Sequence, residues 1–290
     1  MDAQEVSRLD SYALSKRDVF VLPKRKRRPL ELQQTLYIEV LRLREKSLTY
    51  SRIIAEIELR HGVKVPKSSI SDWVDSKHVP MGRTHTFRPT RSPELAYIVG
   101  VETGDGSLNF KRYNYRIRLK AIDKEFVMEF DRCLSSVLNI ARHRLWKGER
   151  ENEFQLEVSS YLLYKFLRRP LRDLKPWFED DSECVSAFLR GFFDSEGCVS
   201  KEGALTASNT NLDLLRYVQR LLLKHFGIAT TGPRLGKKKG TLLIRRGRTY
   251  FRKSDCYSIY VRRTHLAKFY SKVGLTIRRK SLRLEQALSS

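Results

Sequence analysis

The sequence predicts an α+β chain: a small all-α unit, then two pseudo-symmetric halves that each read helix, hairpin, helix, hairpin, helix. Three observations predict it. Between Leu30 and Lys77, apolar residues recur at three- and four-residue spacing between short polar turns, which is the helical period. Beyond residue 89 the alternation of helical and strand periods occurs twice, which marks an internal repeat. Two short stretches, "GVETGDG" (Gly100 to Gly106) and "GFFDSEG" (Gly191 to Gly197), stand one repeat apart. Each opens on a glycine and closes on a small residue, an acid and a second glycine.

Residues 1–29 are polar and end in "PKRKRRP", a basic arm suited to touching phosphates. Next come "LELQQTLYIEVLRLREK", with Leu36, Ile38, Val40, Leu41 and Leu43, and "TYSRIIAEIELRHG", with Ile53, Ile54, Ile57 and Leu59 and Gly62 as its stop. "VPKSSISDWVDSK" follows, with Ile70, Trp73 and Val74 turned inward and Lys67, Ser68, Ser69, Ser71 and Asp72 outward. Three short helices with a polar third one, in residues 30–88 with the linker included, resemble a helix-turn-helix DNA-binding unit, with a generic small helical bundle as the alternative. Half one, residues 89–181, starts with a helix from Pro93 to about Gly104. It continues through the hairpin "SLNF"–"YRIRLKA", the helix "KEFVMEFDRCLSSVL", the hairpin "ARHRLWKGE"–"EFQLEVS" and the closing "YLLYKFLRRPLRDL". Half two, residues 182–290, repeats this with "SECVSAFLRGFFDS", the strands "CVSK" and "ALTAS", "NLDLLRYVQRLLLKHFG", a long basic hairpin from about Ala229 to Arg262, and a last helical segment.

The 290 residues carry 57 Lys+Arg against 33 Asp+Glu, a formal net charge of +24. Such an excess repels the folded chain from itself and calls for a polyanionic partner, with nucleic acid ahead of an anionic membrane. No apolar run approaches the roughly 18 residues of a spanning helix. The N-terminus lacks an apolar core after a basic start, so no secretory signal is expected and the chain reads as intracellular. Cys133, Cys184, Cys198 and Cys256 are scattered, which fits reduced thiols better than disulfides or zinc.

Strand alternation gives the halves a polarity. In "YRIRLKA", Tyr115, Ile117, Leu119 and Ala121 face one side and Arg116, Arg118 and Lys120 the other. A sheet with one apolar face under helices and one open basic face suits phosphates and base edges. Lys111, Arg112, Arg142, Arg144 and Lys147 extend that surface in half one. Arg234, Lys237, Lys238, Lys239, Arg245, Arg246, Arg248, Arg252, Arg262 and Arg263 form its counterpart in half two, with Ser208 and Asn209 nearby.

Gly100 and Gly104, like Gly191 and Ser195, are small residues four apart, so two helices can approach closely along that face. Gly106 and Gly197 suit a left-handed turn just past a helix end. Asp105 and Glu196 are therefore expected at the C-terminal tips of two paired helices. Helix-end partial charge and a second acid both disfavour a carboxylate there. Bound divalent cations resolve the conflict, because carboxylates and helix-end carbonyls make a hard oxygen site for Mg²⁺. Mg²⁺ between carboxylates and phosphate oxygens serves phosphodiester hydrolysis.

"IVGVETGDG" and "LRGFFDSEG" resemble the LAGLIDADG motif of homing endonucleases, and the resemblance covers about residues 92–290. It implies two αββαββα halves in one monomer, with the motif helices packed at the centre and the sheets forming a saddle on double-stranded DNA. It implies site-specific double-strand cleavage with Mg²⁺ or Mn²⁺ at a long site. The metal ligands it implies are Asp105 and Glu196 with the carbonyls of Gly104 and Ser195. Lys120 takes the role of the strand-end lysine that polarises water or stabilises the leaving group. "ASNTN" offers Ser208, Asn209 and Thr210 in half two but no lysine, so the two strands are expected to be cut at different rates. Glu102 and Asp194, the earlier acids, are read as structural. A descendant of the fold that regulates transcription without cutting, and a maturase acting on its own intron RNA, are the alternatives. The chain shows no intein nucleophile and no terminal His-Asn pair. His61, His78, His85, His143, His225 and His265 are too dispersed for a ββα-metal nuclease.

Overall fold

A computed structural model describes residues 28–77, 87–111, 114–148, 152–245 and 248–289. Residues 1–27 of the basic arm, His78, His85, Arg112 and Arg246 lie outside the described residues, as do the side chains of Lys111, Arg245 and Arg248. The chain divides into two compact units, Met1–Pro80 and Met81–Ser290.

The first unit contains α1 (Leu30–Glu45), α2 (Tyr50–His61) and α3 (Lys67–Val74). Thr49 caps α2 through its hydroxyl, which accepts from the Arg52 amide at 3.4 Å. Gly62 ends the helix in the left-handed conformation at φ 63°. Leu36, Val40, Leu43, Ile53, Ile57, Val65, Ile70 and Trp73 form its core. Ile38 and Leu59, apolar in the sequence pattern, point into solvent instead, because they fall off the stripe that the other helices cover.

The second unit runs α4 (Pro93–Glu102), β1 (Ser107–Lys111), β2 (Asn114–Ala121), α5 (Lys124–Leu138), β3 (Trp146–Lys147), β4 (Phe154–Ser159), α6 (Tyr161–Leu167) and α7 (Leu171–Leu174). It continues with α8 (Ser182–Glu196), β5 (Gly197–Val199), β6 (Leu205–Asn209), α9 (Leu212–Phe226), β7 (Thr230–Lys237), β8 (Leu242–Arg245), β9 (Arg248–Phe251), β10 (Cys256–Val261), α10 (Leu266–Lys272) and α11 (Arg278–Ser289). Two four-stranded antiparallel sheets have the same topology, β1-β2-β4-β3 and β5-β6-β10-β7, so the halves are related by pseudo-symmetry. One apolar core runs through both. Phe87, from the stretch read as linker, is buried in it and packs edge-on against Phe166.

Two departures from the sequence pattern concern strands. "ARHRLWKGE" contracts to the two residues of β3, and Arg142 and Arg144 lie in the loop before it. The long hairpin of half two is interrupted by a further one, β8–β9, which forms a two-stranded sheet of its own.

α4 and α8 touch backbone to backbone. A Cβ on Gly191 would lie 2.5 Å from the Tyr97 carbonyl oxygen, and one on Gly100 would overlap the carbonyl of Phe188. At Gly104 a Cβ would meet Ser195 Cβ at 2.5 Å. The four-residue spacing of small residues therefore sets how close the helices come. Gly106 and Gly197 are not left-handed: Gly197 sits at φ −79°, ψ 147°, and neither is among the positive-φ residues. They are glycine for space, since a Cβ at Gly106 would collide with Glu102 at 2.7 Å and one at Gly197 with the backbone of Phe193.

Gly191→Ala should therefore destabilise the second unit by about 2–4 kcal/mol in chemical denaturation. Gly62→Ala, whose Cβ meets nothing within 4 Å but whose φ is 63°, should cost only about 1 kcal/mol in the first unit. Equal effects of the two would contradict the close-contact account.

Candidate active site

Asp105 follows the end of α4 and Glu196 is the last residue of α8, so both carboxylates stand at the end of the packed helix pair. Each leads directly into the first strand of its sheet. β1 pairs Ser107 with Arg118, and continuing that register by two residues brings Lys120 opposite Asp105. β5 pairs Gly197 with Ala207, so the next position places Ser208 opposite Glu196. Asn209 donates from Nδ2 to Glu196 Oε1 at 3.0 Å, and the hydroxyls of Ser208 and Ser258 are bonded at 2.7 Å. Two side chains assigned from the sequence to DNA contact thus reach the acid or its neighbouring strand.

Desolvation raises the pKa of both carboxyls. Glu196 rises to about 7, through burial first and the charge of Asp105 second, with the Asn209 bond working against the shift. The two carboxyls are coupled, and the charge of Asp105 makes Glu196 harder to ionise. The cation nearby is Lys280 of α11. Its buried ammonium donates to the carbonyls of Phe193 at 3.2 Å and Asp194 at 2.6 Å. It caps the end of α8, and its charge works against the burial that raises the carboxyls of Asp105, Asp194 and Glu196.

Sequence reasoning did not single out Lys280. A signal existed: Ile277, Lys280 and Leu284 are spaced three and four apart, which puts the lysine on the buried stripe of its helix. Among 57 Lys+Arg it did not stand out.

The earlier acids are not equivalents. Asp194 stands two residues before Glu196, whereas Glu102 stands three before Asp105. Buried Asp194 accepts from the Tyr97 hydroxyl at 2.9 Å and from the amides of Thr276 at 2.9 Å and Ile277 at 3.4 Å. It ties both motif helices to the start of α11. Glu102 Oε1 is buried without a hydrogen-bond partner, and burial pushes its carboxyl up to about 8.

The basic residues divide unevenly. In half one, Arg116, Arg118 and Lys120 project from the central strand β2, on the face opposite buried Ile117 and Leu119. Arg116 is ion-paired with Glu157 at 3.1 Å. In half two, Arg234, Lys237, Lys238, Lys239, Arg252 and Arg262 stand on the outer strands and turns.

A LAGLIDADG-like domain family matches residues 183–274, which is most of half two. Uncharacterized protein MJ0398 of Methanocaldococcus jannaschii is 34% identical over 268 residues, spanning 90% of this chain and 97% of the relative. The chain belongs to the LAGLIDADG family. Uncharacterized protein MJ0314 of the same organism is 34% identical over 136 residues, 43% of this chain and 51% of that protein. The fold is similar to that of I-DmoI solved in complex with DNA and Mn, at 20% identity and TM-score 0.45, covering 63% of this chain and 96% of that one. It is also similar to the N-terminal LAGLIDADG domain of DUF199/WhiA, at 12% identity and TM-score 0.42, covering 64% of this chain and 84% of that one. No helix among the described residues is long and apolar enough to cross a membrane.

Two outcomes follow for the site. Glu102 binds a proton in the folded state between its ordinary 4.5 and about 8, where the unfolded chain has lost it. Stability is therefore lost as pH rises through that window, by about 2–4 kcal/mol at pH 8.5. Thermal midpoints of wild type should fall from pH 5 to 8.5, and Glu102→Gln should flatten the fall; parallel curves would exclude a protonated Glu102. Lys280→Met removes the donor to two helix-end carbonyls and should cost about 2–4 kcal/mol in denaturant titration.

Proposed function

We propose that this protein is a DNA endonuclease that makes site-specific, metal-dependent double-strand breaks at a long DNA site, as homing endonucleases do. The observation that carries the reading is the juxtaposition of Asp105 and Glu196 at glycine-packed helix ends, each leading into a sheet of the saddle. No fold-stabilising role accounts for two desolvated acids placed where each raises the cost of the other.

The donor set fits Mg²⁺ or Mn²⁺. Two carboxylates, one lifted to about 7 beside the other, favour a compensating dication. Among the described residues no group of three or more His, Cys, Asp or Glu forms a metal cluster. The remaining ligands would be the carbonyls of Gly104 and Ser195 and the phosphate oxygens of the substrate. When bound, the metal supplies charge neutralisation at the phosphoryl group and a more acidic water. Asp105 and Glu196 would hold it, with Asn209 orienting the Glu196 carboxylate. Lys120, at the register position opposite Asp105, would stabilise charge on the oxygen that leaves phosphorus as water adds. Half two presents Ser208 and Asn209 at the matching position, so the two strands are cut at unequal rates. Arg116, Arg118 and Arg234 position the phosphates. The three-helix unit, through Lys67, Ser68, Ser69 and Ser71 of α3, adds a further DNA contact. Both acids lie in one chain, so the working unit is a monomer.

The test is cleavage of a host-derived DNA library with Mg²⁺, followed by variants on the selected site. Asp105→Asn and Glu196→Gln should each lower double-strand cleavage by at least about a hundredfold, keep DNA affinity, and leave thermal stability equal or higher. Deleting residues 1–80 should weaken binding while sparing cleavage. If wild type binds a DNA specifically, gives no Mg²⁺-dependent breaks and matches both amide variants, a DNA-binding regulator is the better account.

A further inference from the structure

Each half has a groove between its second helix and the chain that enters the outermost strand of its sheet. α5 and α9 are both 15 residues long, and the eighth residue of each holds that entering chain. In half two it is Gln219, whose Nε2 donates to Thr230 Oγ1 at 2.6 Å and to the Gly232 carbonyl at 3.2 Å. In half one it is buried Asp131, whose Oδ1 accepts from the His143 amide at 3.2 Å and from His143 Nδ1 at 2.8 Å. Holding the chain does not require an imidazole, as Gln219 shows. With the Nδ1 proton given to Asp131, the neutral ring keeps Nε2 as an acceptor, and the side chain is 30% exposed.

The two linings differ. The half-two groove, about 620 Å³, has no aromatic residue in its described lining, and its Arg216 is paired with Asp213 at 3.5 Å. The half-one pocket, about 420 Å³, has Met128 at the helix position of Arg216, and Leu145, Trp146 and Phe154 beside it. Trp146 is 65% exposed. Lys124, Arg142 and Lys147 also line the pocket, and none of them makes an ion pair among the described residues. The acid of the lining, Asp131, is engaged with His143. Lys147 pairs with Phe154, and Phe154 with Ala121, so Lys147 belongs to the helix-bearing face of the sheet. The sequence pattern had put it with Arg116, Arg118 and Lys120, which occupy the other face. These groups select a ligand. Unpaired cations take an anion, and the aromatic and apolar wall takes a flat body attached to it. Inorganic phosphate would leave the wall bare, and a fatty acid would bring no donor to Nε2. A duplex keeps its bases paired and cannot enter a 420 Å³ pocket. A single nucleotide meets every group: its base takes the wall, a sugar hydroxyl donates to Nε2 and the phosphate takes the cations.

We propose that the pocket between α5 and β3 binds a nucleoside monophosphate, either free or at the end of a single strand. The site uses neither Asp105 nor Glu196 and does not rest on the nuclease reading. It gives half one a ligand site where half two has only the groove that the fold creates.

The experiment titrates the full-length protein by calorimetry with adenosine monophosphate, adenosine and inorganic phosphate. The nucleotide should bind, and the other two should each bind at least about tenfold more weakly, because each supplies only part of the contacts. Trp146→Ala and His143→Ala should each weaken nucleotide binding about tenfold. Trp146 is exposed, so its variant should keep the wild-type thermal midpoint and remain a fair test if His143→Ala loosens the loop. Arg216→Gln, in the half-two groove, should bind the nucleotide like wild type. Phosphate that binds as tightly as the nucleotide, or an equal loss in Arg216→Gln, would reduce the signal to general attraction by a chain of net charge +24 and overturn the proposal. Wild-type affinity in both Trp146→Ala and His143→Ala would overturn it as well. Competition with a 5′-phosphorylated dinucleotide identifies the source: stronger displacement than by the mononucleotide supports a strand end, weaker displacement a free nucleotide. Cleavage of DNA with Mg²⁺, measured on the same proteins, is a separate readout, so either reading can fail alone.

Discussion

Gly100 and Gly191 each present a bare backbone to the carbonyl of the opposite helix, Phe188 and Tyr97 respectively, and the rest of the second unit is arranged around that contact. Any side chain there would hold α4 and α8 a methyl group or more apart. With the backbones touching, the two helix ends stand side by side, and the strands that start from them must diverge into separate sheets. The pseudo-symmetry is thus a consequence of one steric allowance used twice. The core reinforces it, since one continuous apolar cluster covers the outward faces of both helices.

That contact also creates the electrostatic problem at the centre of the site. Two acids, two helix C-termini and partial burial all act in the same direction, and Glu196 rises to about 7. The chain answers part of it with Lys280, which takes two terminal carbonyls of α8. Asp194 holds the segment that delivers Lys280, and Arg279 pairs with Asp123 at 2.6 Å across to half one. The C-terminal helix therefore joins the halves at the point where their charges conflict. Among the described residues half one shows no equivalent support, and Glu102 remains there with a buried oxygen that has no hydrogen-bond partner.

The symmetry of the backbone is not carried into the surface. Half one concentrates its bases on a central strand, at Arg116, Arg118 and Lys120, whereas half two has Arg234 and Lys237 on the outer strand β7 and Lys238, Lys239 and Arg252 in the turns beyond it. A symmetric scaffold with unlike faces suits an unsymmetrical partner, since the helices set the geometry and the strands and turns remain free to differ.

Periodicity and spacing determined much of this by themselves. The three helices of the first unit, the twofold repeat, the apolar face of β2 and the close approach of the motif helices follow from local steric rules that act within a few residues. So does the placing of Asp105 and Glu196 at helix ends. What the tertiary structure decided concerns partners distant in the chain. Lys280 comes to Asp194 from the last helix, Asn209 reaches Glu196 across a strand pair, and Asp194 and Glu102 part company because one accepts from Tyr97 and Thr276 while Oε1 of the other is buried without a hydrogen-bond partner. Gly106 and Gly197 illustrate the same limit. A glycine after a helix is compatible with a left-handed turn or with a close neighbour, and only the position of Glu102 and Phe193 selects the second. Local pattern states which side chain a position can bear; what that side chain touches depends on chain segments that no local window contains.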